Sequence, residues 1–465
     1  MPRPRLVRYL GLAGSLFLAG AAWLGGASSP WEPTVTPRTI LAGRDGVLLP
    51  LCWLLGTVLL IGAWWAGRRS VPHPRWAYVT AGLWALPLLP FLPLGSYDVY
   101  SYACQGWQQA AGLDPYAGGV DLLGCPWADA VAPTWRTSPA PYGPVFLVLA
   151  AIAAKLGGSL TGTVALLRLI AVLGVVALGW CLPRIAHRAG VPPERAVWLV
   201  LACPLVPIHL VSGAHNEAVM LALMVGGLTA AVARRPLLAG VLLGLAVGVK
   251  ATAVVVLPFV VLLFPGLSRK AMVAGGAAGA LAAVSFGSGL GLGWLSGLAG
   301  SGVSVQWTAP PTAIGMTLEL FGVPGAVAVT RILGMIALAG VLLLLWLRAR
   351  RSARTGDPLR YTGLALAATV LLAPVFHPWY ALWPLAVLAA TVRRDTRWLV
   401  VPPAVAAALC LPDGYNLALA TKAQGAIVMT LLAGFLAWKV VHEAKSDSRR
   451  PGADHGGTDR HRGVP

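Results

Sequence analysis

Residues 46–66, GVLLPLCWLLGTVLLIGAWWA, run about 20 residues without a charge. A helix needs a stretch of that length to cross a hydrocarbon core of roughly 30 Å. The apolar runs do not alternate and are too long for barrel staves, so strands are excluded as the spanning element. Comparable runs occur at 9–28, 77–95, 161–183, 196–212, 216–233, 236–249, 252–266, 270–296, 327–347, 360–375, 380–392, 398–412 and 423–441. The pattern predicts an all-α polytopic membrane bundle of about fourteen transmembrane helices. With 57% hydrophobic and 11% charged residues and a mean hydropathy of +0.74, the whole chain fits that class. The first run lacks a convincing cleavage site and leads into further membrane segments, so it is expected to remain as an anchor.

A net charge of +19 would suit nucleic acid, but the position of the basic residues argues otherwise. Most of the 35 Lys and Arg sit in short inter-helix loops: Arg3, Arg5 and Arg8; Arg68, Arg69 and Arg75; Arg184, Arg188 and Arg195; Arg348 to Arg360; and the tail from Lys439. The positive-inside rule then places both termini in the cytoplasm and Asp98 outside. Residues 142–158 are apolar enough to cross, yet counting them as a span would invert every later loop. They are expected on the outer surface as an interfacial or re-entrant helix. The organisation that follows is N-terminal helices over 1–95, an outer segment with interfacial helices over 96–160, a helical bundle over 161–442, and a disordered cytoplasmic tail over 443–465.

The unusual polar residues collect in the outward pieces. In SYDVYSYACQGWQQ a helix starting after Ser96 would put Asp98, Ser101, Gln105 and Gln108 on one polar face, as in an amphipathic interfacial helix. A carboxylate there can accept a hydrogen bond from a sugar hydroxyl and take its proton, though a first-turn charge also suits the helix dipole. GAHNEAVM supplies His215, Asn216 and Glu217 in three consecutive positions, either lining a polar cavity or serving as cap and first helical turn. Arg168, Lys250, Arg331 and Lys422, along with His377, are rare outer-half cations. Each wants an anionic partner, internal or on a lipid, unless it snorkels to the headgroups. Tyr97, Tyr100, Tyr142, Trp307, His377, Trp379 and Tyr380 are candidate substrate contacts, although an aromatic belt selects the same residue types. Cys104 and Cys125 share the outer segment and could pair there, since that side is oxidising; Cys52, Cys181, Cys203 and Cys410 read as apolar fillers. No P-loop, D-x-D pair or H-x-x-x-H cluster occurs, so ATP hydrolysis, a metal-held nucleotide sugar and a zinc hydrolase lack their usual residues.

LGSYDVYSYACQG, GLDPYAGG, PAPYGPV, SGAHNEAVM, LAVGVKATA and FHPWYALWPL together resemble the actinobacterial polyprenyl-phosphate-mannose-dependent α-1,6-mannosyltransferases of the GT-C superfamily, over about 75–425. The resemblance implies a multispanning bundle whose first large outer loop carries an acid, here Asp98, that activates the acceptor. It further implies a polyprenyl-phosphate-mannose donor, a lipid-anchored mannan acceptor of the lipomannan or lipoarabinomannan type, and inversion at the anomeric carbon. His215, Asn216 and Glu217 would line the sugar site, and Arg168, Lys250 or Lys422 would face the donor phosphate. No cofactor is called for and no metal is expected. Alternatives are a related transferase using another lipid-phosphate sugar, such as arabinofuranose, and a transporter of lipid or solute, which would show paired broken helices and internal repeats. The only expected partners are donor, acceptor and membrane lipids, with no nucleic acid.

Overall fold

A computed structural model describes residues 3–299, 302, 304–352, 358–394 and 397–448, so most of the expected tail, 449–465, lies outside the described residues. All of its regular elements are helical. The principal ones are α1 (Pro4–Gly25), α2 (Leu48–Gly67), α3 (Pro74–Ala85), α4 (Asp98–Ala110), α5 (Pro144–Gly157), α6 (Leu160–Ala189), α7 (Pro193–Leu201), α8 (Glu217–Val232), α9 (Pro236–Val249), α10 (Leu267–Gly287), α11 (Pro310–Leu320), α12 (Ala326–Arg351), α13 (Pro358–Leu372), α14 (Leu382–Thr391), α15 (Val401–Ala408) and α16 (Lys422–Ser448). Seven of them open with Pro at the first helical position, where its missing N–H costs nothing: α1, α3, α5, α7, α9, α11 and α13.

Against about fourteen expected spans, five helices among the described residues are long and apolar enough to cross a membrane: α1, α2, α6, α10 and α12. A sixth span arises if α7 and the π-helical segment Val206–Ser212, which meet at 64°, count as one bent crossing. The shorter apolar helices have 10–17 residues. Several expected runs are broken by the backbone itself. The run 252–266 becomes a 3₁₀ segment, Ala251–Val256, leading into the short helix Leu257–Val261, and 270–296 divides after Gly287. Apolarity alone cannot reveal such breaks. The outer stretch 297–326 contains the unanticipated helix α11, announced only by its Pro-Pro start. The last helix extends to Ser448, into the stretch expected to be disordered.

Small residues let the backbones approach closely, as in other membrane bundles. On α9, a Cβ at Gly240 would lie 2.2 Å from Val273 O and one at Gly244 2.2 Å from Ala277 O, so α9 and α10 cross almost in backbone contact. α1 and α2 meet similarly through Gly14 and Gly56. The lipid-facing character of α12 shows in its exposed Val329, Ile332, Leu333, Ile336, Leu343 and Leu344.

The segment 96–160 departs most from expectation. Helix α4 is not a surface helix with a wet polar face: Ser101, Gln105 and Gln108 are buried along with Val99, Tyr100, Tyr102 and Cys104. Gln108 donates to Gly124 O (3.0 Å), and a Cys104–Cys125 disulfide binds α4 to the loop that covers it. α5 likewise buries Phe146, Leu147, Ala150 and Ala153, packing on α4, α6, α9 and α10.

Candidate active site

Four chain segments converge on one buried polar cluster. The first is the N-terminus of α4. Leu94 N–H donates to Ser212 Oγ (3.1 Å) and Gly95 N–H to Pro412 O (3.0 Å), which anchors the turn before the helix; Asp98 N–H then bonds Ser96 Oγ (3.1 Å). Asp98 therefore starts the helix with its side chain 14% exposed, and Tyr102 lies one turn further on the same face.

The second segment is the π-helical turn Val206–Ser212 and the GAHN loop that follows. Rare π-helical turns concentrate at functional sites. Gly213 N–H returns to Ile208 O and His215 N–H to His209 O (3.2 Å), while Ala214 is held at φ 51°, a strained conformation for a residue with a Cβ. Arg168, inside α6, braces this loop by donating to Ser212 O (3.0 Å) and Leu89 O (2.8 Å). In place of the expected anionic partner it thus finds neutral backbone carbonyls.

The third segment is the break after α9. Gly143 and Gly248 approach so closely that a Cβ on Gly143 would lie 2.2 Å from Gly248 O, and Gly143 N–H donates to Val249 O. That contact sets Tyr142 beside the Lys250 turn. Lys250 has left the helix in an extended conformation and forms a salt bridge with Glu217 Oε1. The fourth segment is FHPWY, whose ring of Tyr380 lies 4.3 Å from Lys250 Nζ, with Trp383 at 5.3 Å. Cation–π contact adds to the pairing of the ammonium.

His215 is the centre of the group. Its Nδ1 shares a 3.2 Å hydrogen bond with the Tyr102 hydroxyl and lies 3.8 Å from both Asp98 Oδ2 and Glu217 Oε2. Trp379 covers the imidazole at 3.9 Å between ring centroids, and His377 stacks on Trp379 at 4.9 Å, only 3° from parallel. Burial, reinforced by His209 and Lys250, holds the His215 pKa far below the usual range, so the imidazole is neutral and its 3.8 Å contacts are not ion pairs. Burial, then the Glu217 carboxylate, raises the Asp98 pKa from 3.8 to about 6, against the opposing pull of Lys250. His377 falls to about 3, again chiefly through burial. Burial opposes the Lys250 charge, but the Glu217 carboxylate and the Tyr380 hydroxyl together override it and move the Lys250 pKa upward.

Asn216 Nδ2 and Oδ1, Glu217 Oε2 and His215 Nε2 are buried without a hydrogen-bond partner from the chain. Orphaned polar atoms in a core are rare, and a patch of them beside a largely buried carboxylate suits a polyhydroxylated ligand. Among the described residues, no group of three or more His, Cys, Asp and Glu is placed to hold a metal ion.

Asp98, Tyr142, His215, Glu217, Lys250, His377, Trp379 and Tyr380 thus come together, with Asn216 on the same loop. Tyr97 and Tyr100 face the other way: Tyr97 packs on Trp31, and the Tyr100 hydroxyl donates to Ala27 O (2.6 Å). Trp307 donates to Thr421 Oγ1 (3.2 Å) next to the exposed Lys422, away from the cluster. Two members of the cluster escaped the sequence reading. Tyr102 was visible as the residue four beyond Asp98, and Trp383 as the residue three beyond Tyr380; both were lost among the other aromatics of a membrane interface.

Residues 8–266 match the family described as alpha-(1->6)-mannopyranosyltransferase, N-terminal domain, and residues 311–441 match the MptB C-terminal domain. The chain is 33% identical over 420 residues to alpha-(1->6)-mannopyranosyltransferase A of Mycobacterium tuberculosis, covering 83% of this chain and 80% of that one. It is 31% identical over 443 residues to alpha-(1->6)-mannopyranosyltransferase B of Corynebacterium glutamicum, covering 83% and 73%. Against a probable alpha-(1->6)-mannopyranosyltransferase of Mycolicibacterium smegmatis the identity is 30% over 450 residues, covering 84% and 79%. No solved structure matches the chain. Asp98, His215, Glu217 and Lys250 fall within the first matched region, and His377, Trp379 and Tyr380 within the second.

Proposed function

As the chain belongs to the alpha-(1->6)-mannopyranosyltransferase family, we propose that it is an inverting membrane mannosyltransferase. Its donor would be polyprenyl-phosphate-mannose and its acceptor a lipid-anchored mannan, extended by α-1,6 linkages on the non-cytoplasmic face. The observation that carries this reading is the convergence of a largely buried carboxylate of raised pKa, a neutral imidazole and a paired lysine in a single buried cluster. The location of the basic loops supports the sidedness.

In the proposed step the acceptor 6-hydroxyl lies against Asp98. As its oxygen bonds to the anomeric carbon, the proton passes to the Asp98 carboxylate and the bond from that carbon to the phosphate oxygen breaks. Polyprenyl phosphate leaves with the electron pair, and a β-configured donor yields an α-linkage. A base is most effective when its pKa lies close below the operating pH, which suits a carboxyl near 6. Lys250 faces the growing charge on the leaving phosphate, drawing on a salt bridge that already holds it in place. His215, kept neutral, adds no second positive charge and can hydrogen-bond a sugar hydroxyl through Nε2.

The test is Asp98→Asn in membranes supplied with polyprenyl-phosphate-mannose and, separately, with an arabinofuranosyl lipid phosphate. The expected result is a loss of about 10²–10⁴-fold in mannose transfer at unchanged expression. Transfer as fast as the parent's would overturn the assignment of Asp98, and transfer only from the arabinofuranosyl donor would overturn the choice of sugar.

A further inference from the structure

Away from the cluster, at the far ends of α4 and α5, lies an open pocket of about 300 Å³. Its walls include Trp107 and Ala110 from α4, Trp127 from the covering loop, and Ala154 and Lys155 from α5. Both indoles are half-buried and Lys155 is exposed. Neither indole N–H is bonded within the described chain, so each Trp offers an apolar face together with a free donor. Pockets of this size are at the lower end of those that hold small molecules.

What connects the pocket to the cluster is the register of α4 and α5. Tyr102 packs on Phe146 at 4.8 Å; one turn later a Cβ at Gly106 would lie 2.3 Å from Ala150 O; one turn later again Ala110 and Ala154 both line the pocket. The two helices therefore run parallel, with Asp98 and Tyr142 at their beginnings and the pocket at their ends. From Asp98 to Trp107 the helix rises by about 13 Å. The disulfide steadies the far end, since Trp107 follows Cys104 by one helical turn and Trp127 lies just beyond Cys125.

We propose that this pocket is a remote acceptor subsite, in which Trp107 and Trp127 hold sugar rings of an α-linked mannan some distance behind the hydroxyl that reacts at Asp98. The inference rests on the mannosyltransferase reading above. Sugar rings carry an apolar C–H face that packs on an indole and hydroxyls that accept from its N–H, which is what the two tryptophans present. Lys155 supplies further donors at the rim. A subsite so placed cannot touch a monosaccharide acceptor bound at Asp98, so it acts as a measure of acceptor length.

The experiment measures mannose transfer from polyprenyl-phosphate-mannose to α-1,6-linked acceptors from mannose to mannotetraose, by the parent, Trp107→Ala, Trp107→Phe and Trp127→Ala. In the parent, KM should fall as the acceptor lengthens. Trp107→Ala and Trp127→Ala should each raise KM for mannotetraose by roughly tenfold while leaving kcat and all parameters for mannose unchanged, and Trp107→Phe should restore much of the loss. An equal loss for short and long acceptors, an unchanged KM for mannotetraose, or a loss that depends on the lipid composition of the vesicles and not on acceptor length would each overturn the subsite. Saturation-transfer NMR of mannotetraose on the solubilised full-length chain, parent against Trp107→Ala, reads the pocket without turnover. If the parent transfers no mannose but its NMR signal is still lost in Trp107→Ala, the transferase reading fails and the sugar pocket stands; no signal in the parent overturns the pocket.

Discussion

Lys250 and Arg331 are both cations set among apolar helices, and they are neutralised in opposite ways. Lys250, at the break after α9, meets a fully buried carboxylate, Glu217, and the faces of Tyr380 and Trp383. Arg331, inside α12, donates to Gly302 O (2.9 Å), Ser304 O (2.6 Å) and Thr312 Oγ1 (3.0 Å). The planar guanidinium spends its donors on fixed backbone and works as a staple between α12 and the loop before α11. The ammonium is a point charge with one salt bridge, and its counter-ion belongs to a carboxylate that keeps a second oxygen unpartnered. In apolar surroundings a cation tied to carbonyls maintains structure, whereas one tied to a carboxylate at a helix break remains available for chemistry.

The contrast is broken most severely by Glu217→Gln, which leaves the Lys250 charge buried and unpaired. Transfer should be lost and the chain destabilised by about 3–5 kcal/mol in thermal unfolding of the purified protein. The double variant Glu217→Met with Lys250→Met should regain most of that stability without regaining transfer. Arg331→Ala should do the reverse, lowering stability by about 1–3 kcal/mol as its carbonyl partners lose their donors, with transfer per folded molecule close to the parent's. Should Arg331→Ala instead abolish transfer in a well-folded chain, the division between staple and active cation would be wrong.

A pH profile sharpens the same point. With the Asp98 pKa at about 6, kcat/KM should fall roughly tenfold per pH unit below that value and level off above it, and Asp98→Asn should lack this limb. The sign for stability follows from the raised pKa. Between the ordinary 3.8 and about 6 the folded Asp98 keeps a proton that the unfolded chain has lost, so its contribution to stability falls as pH rises through that window, and Asp98→Asn removes that contribution alone. Asp413, likewise raised to about 6 by burial, acts in the same sense, and the buried neutral His215 and His377 act in the opposite one. His215, neutral throughout in the folded chain, should add no limb to the activity profile, while its protonation on unfolding lowers stability as pH drops below the ordinary 6.5.

Several features were legible in the sequence because they are local. Asp98 stood out as a carboxylate at the end of an apolar run, GAHNE as three polar residues on a Gly-led turn, and Lys250 as a cation with nothing polar beside it. The open question of what neutralises Lys250 needed the fold, because Glu217 is brought to it only by the pairing of α8 with α9. The amphipathic spacing of α4 suggested a surface helix. Periodicity, however, reports two unlike faces without saying what covers the polar one, and here the disulfide-bound loop does. The expectation of about fourteen spans failed to foresee the 3₁₀ segments, the π turn and the short helices for a related reason, since hydropathy averages over a window and is insensitive to a backbone break within it.

By itself the sequence determined the helical membrane class, the likeness to a transferase family and the polar segments where chemistry must lie, all quantities that accumulate residue by residue along the chain. Only the tertiary structure decided which of those segments meet. Asp98, His215, Glu217, Lys250 and Trp379 form one site because Gly143 and Gly248 permit α5 and α9 to touch, Arg168 clamps the π turn, and FHPWY folds over the result. Those contacts depend on close packing between distant residues, which no local pattern encodes.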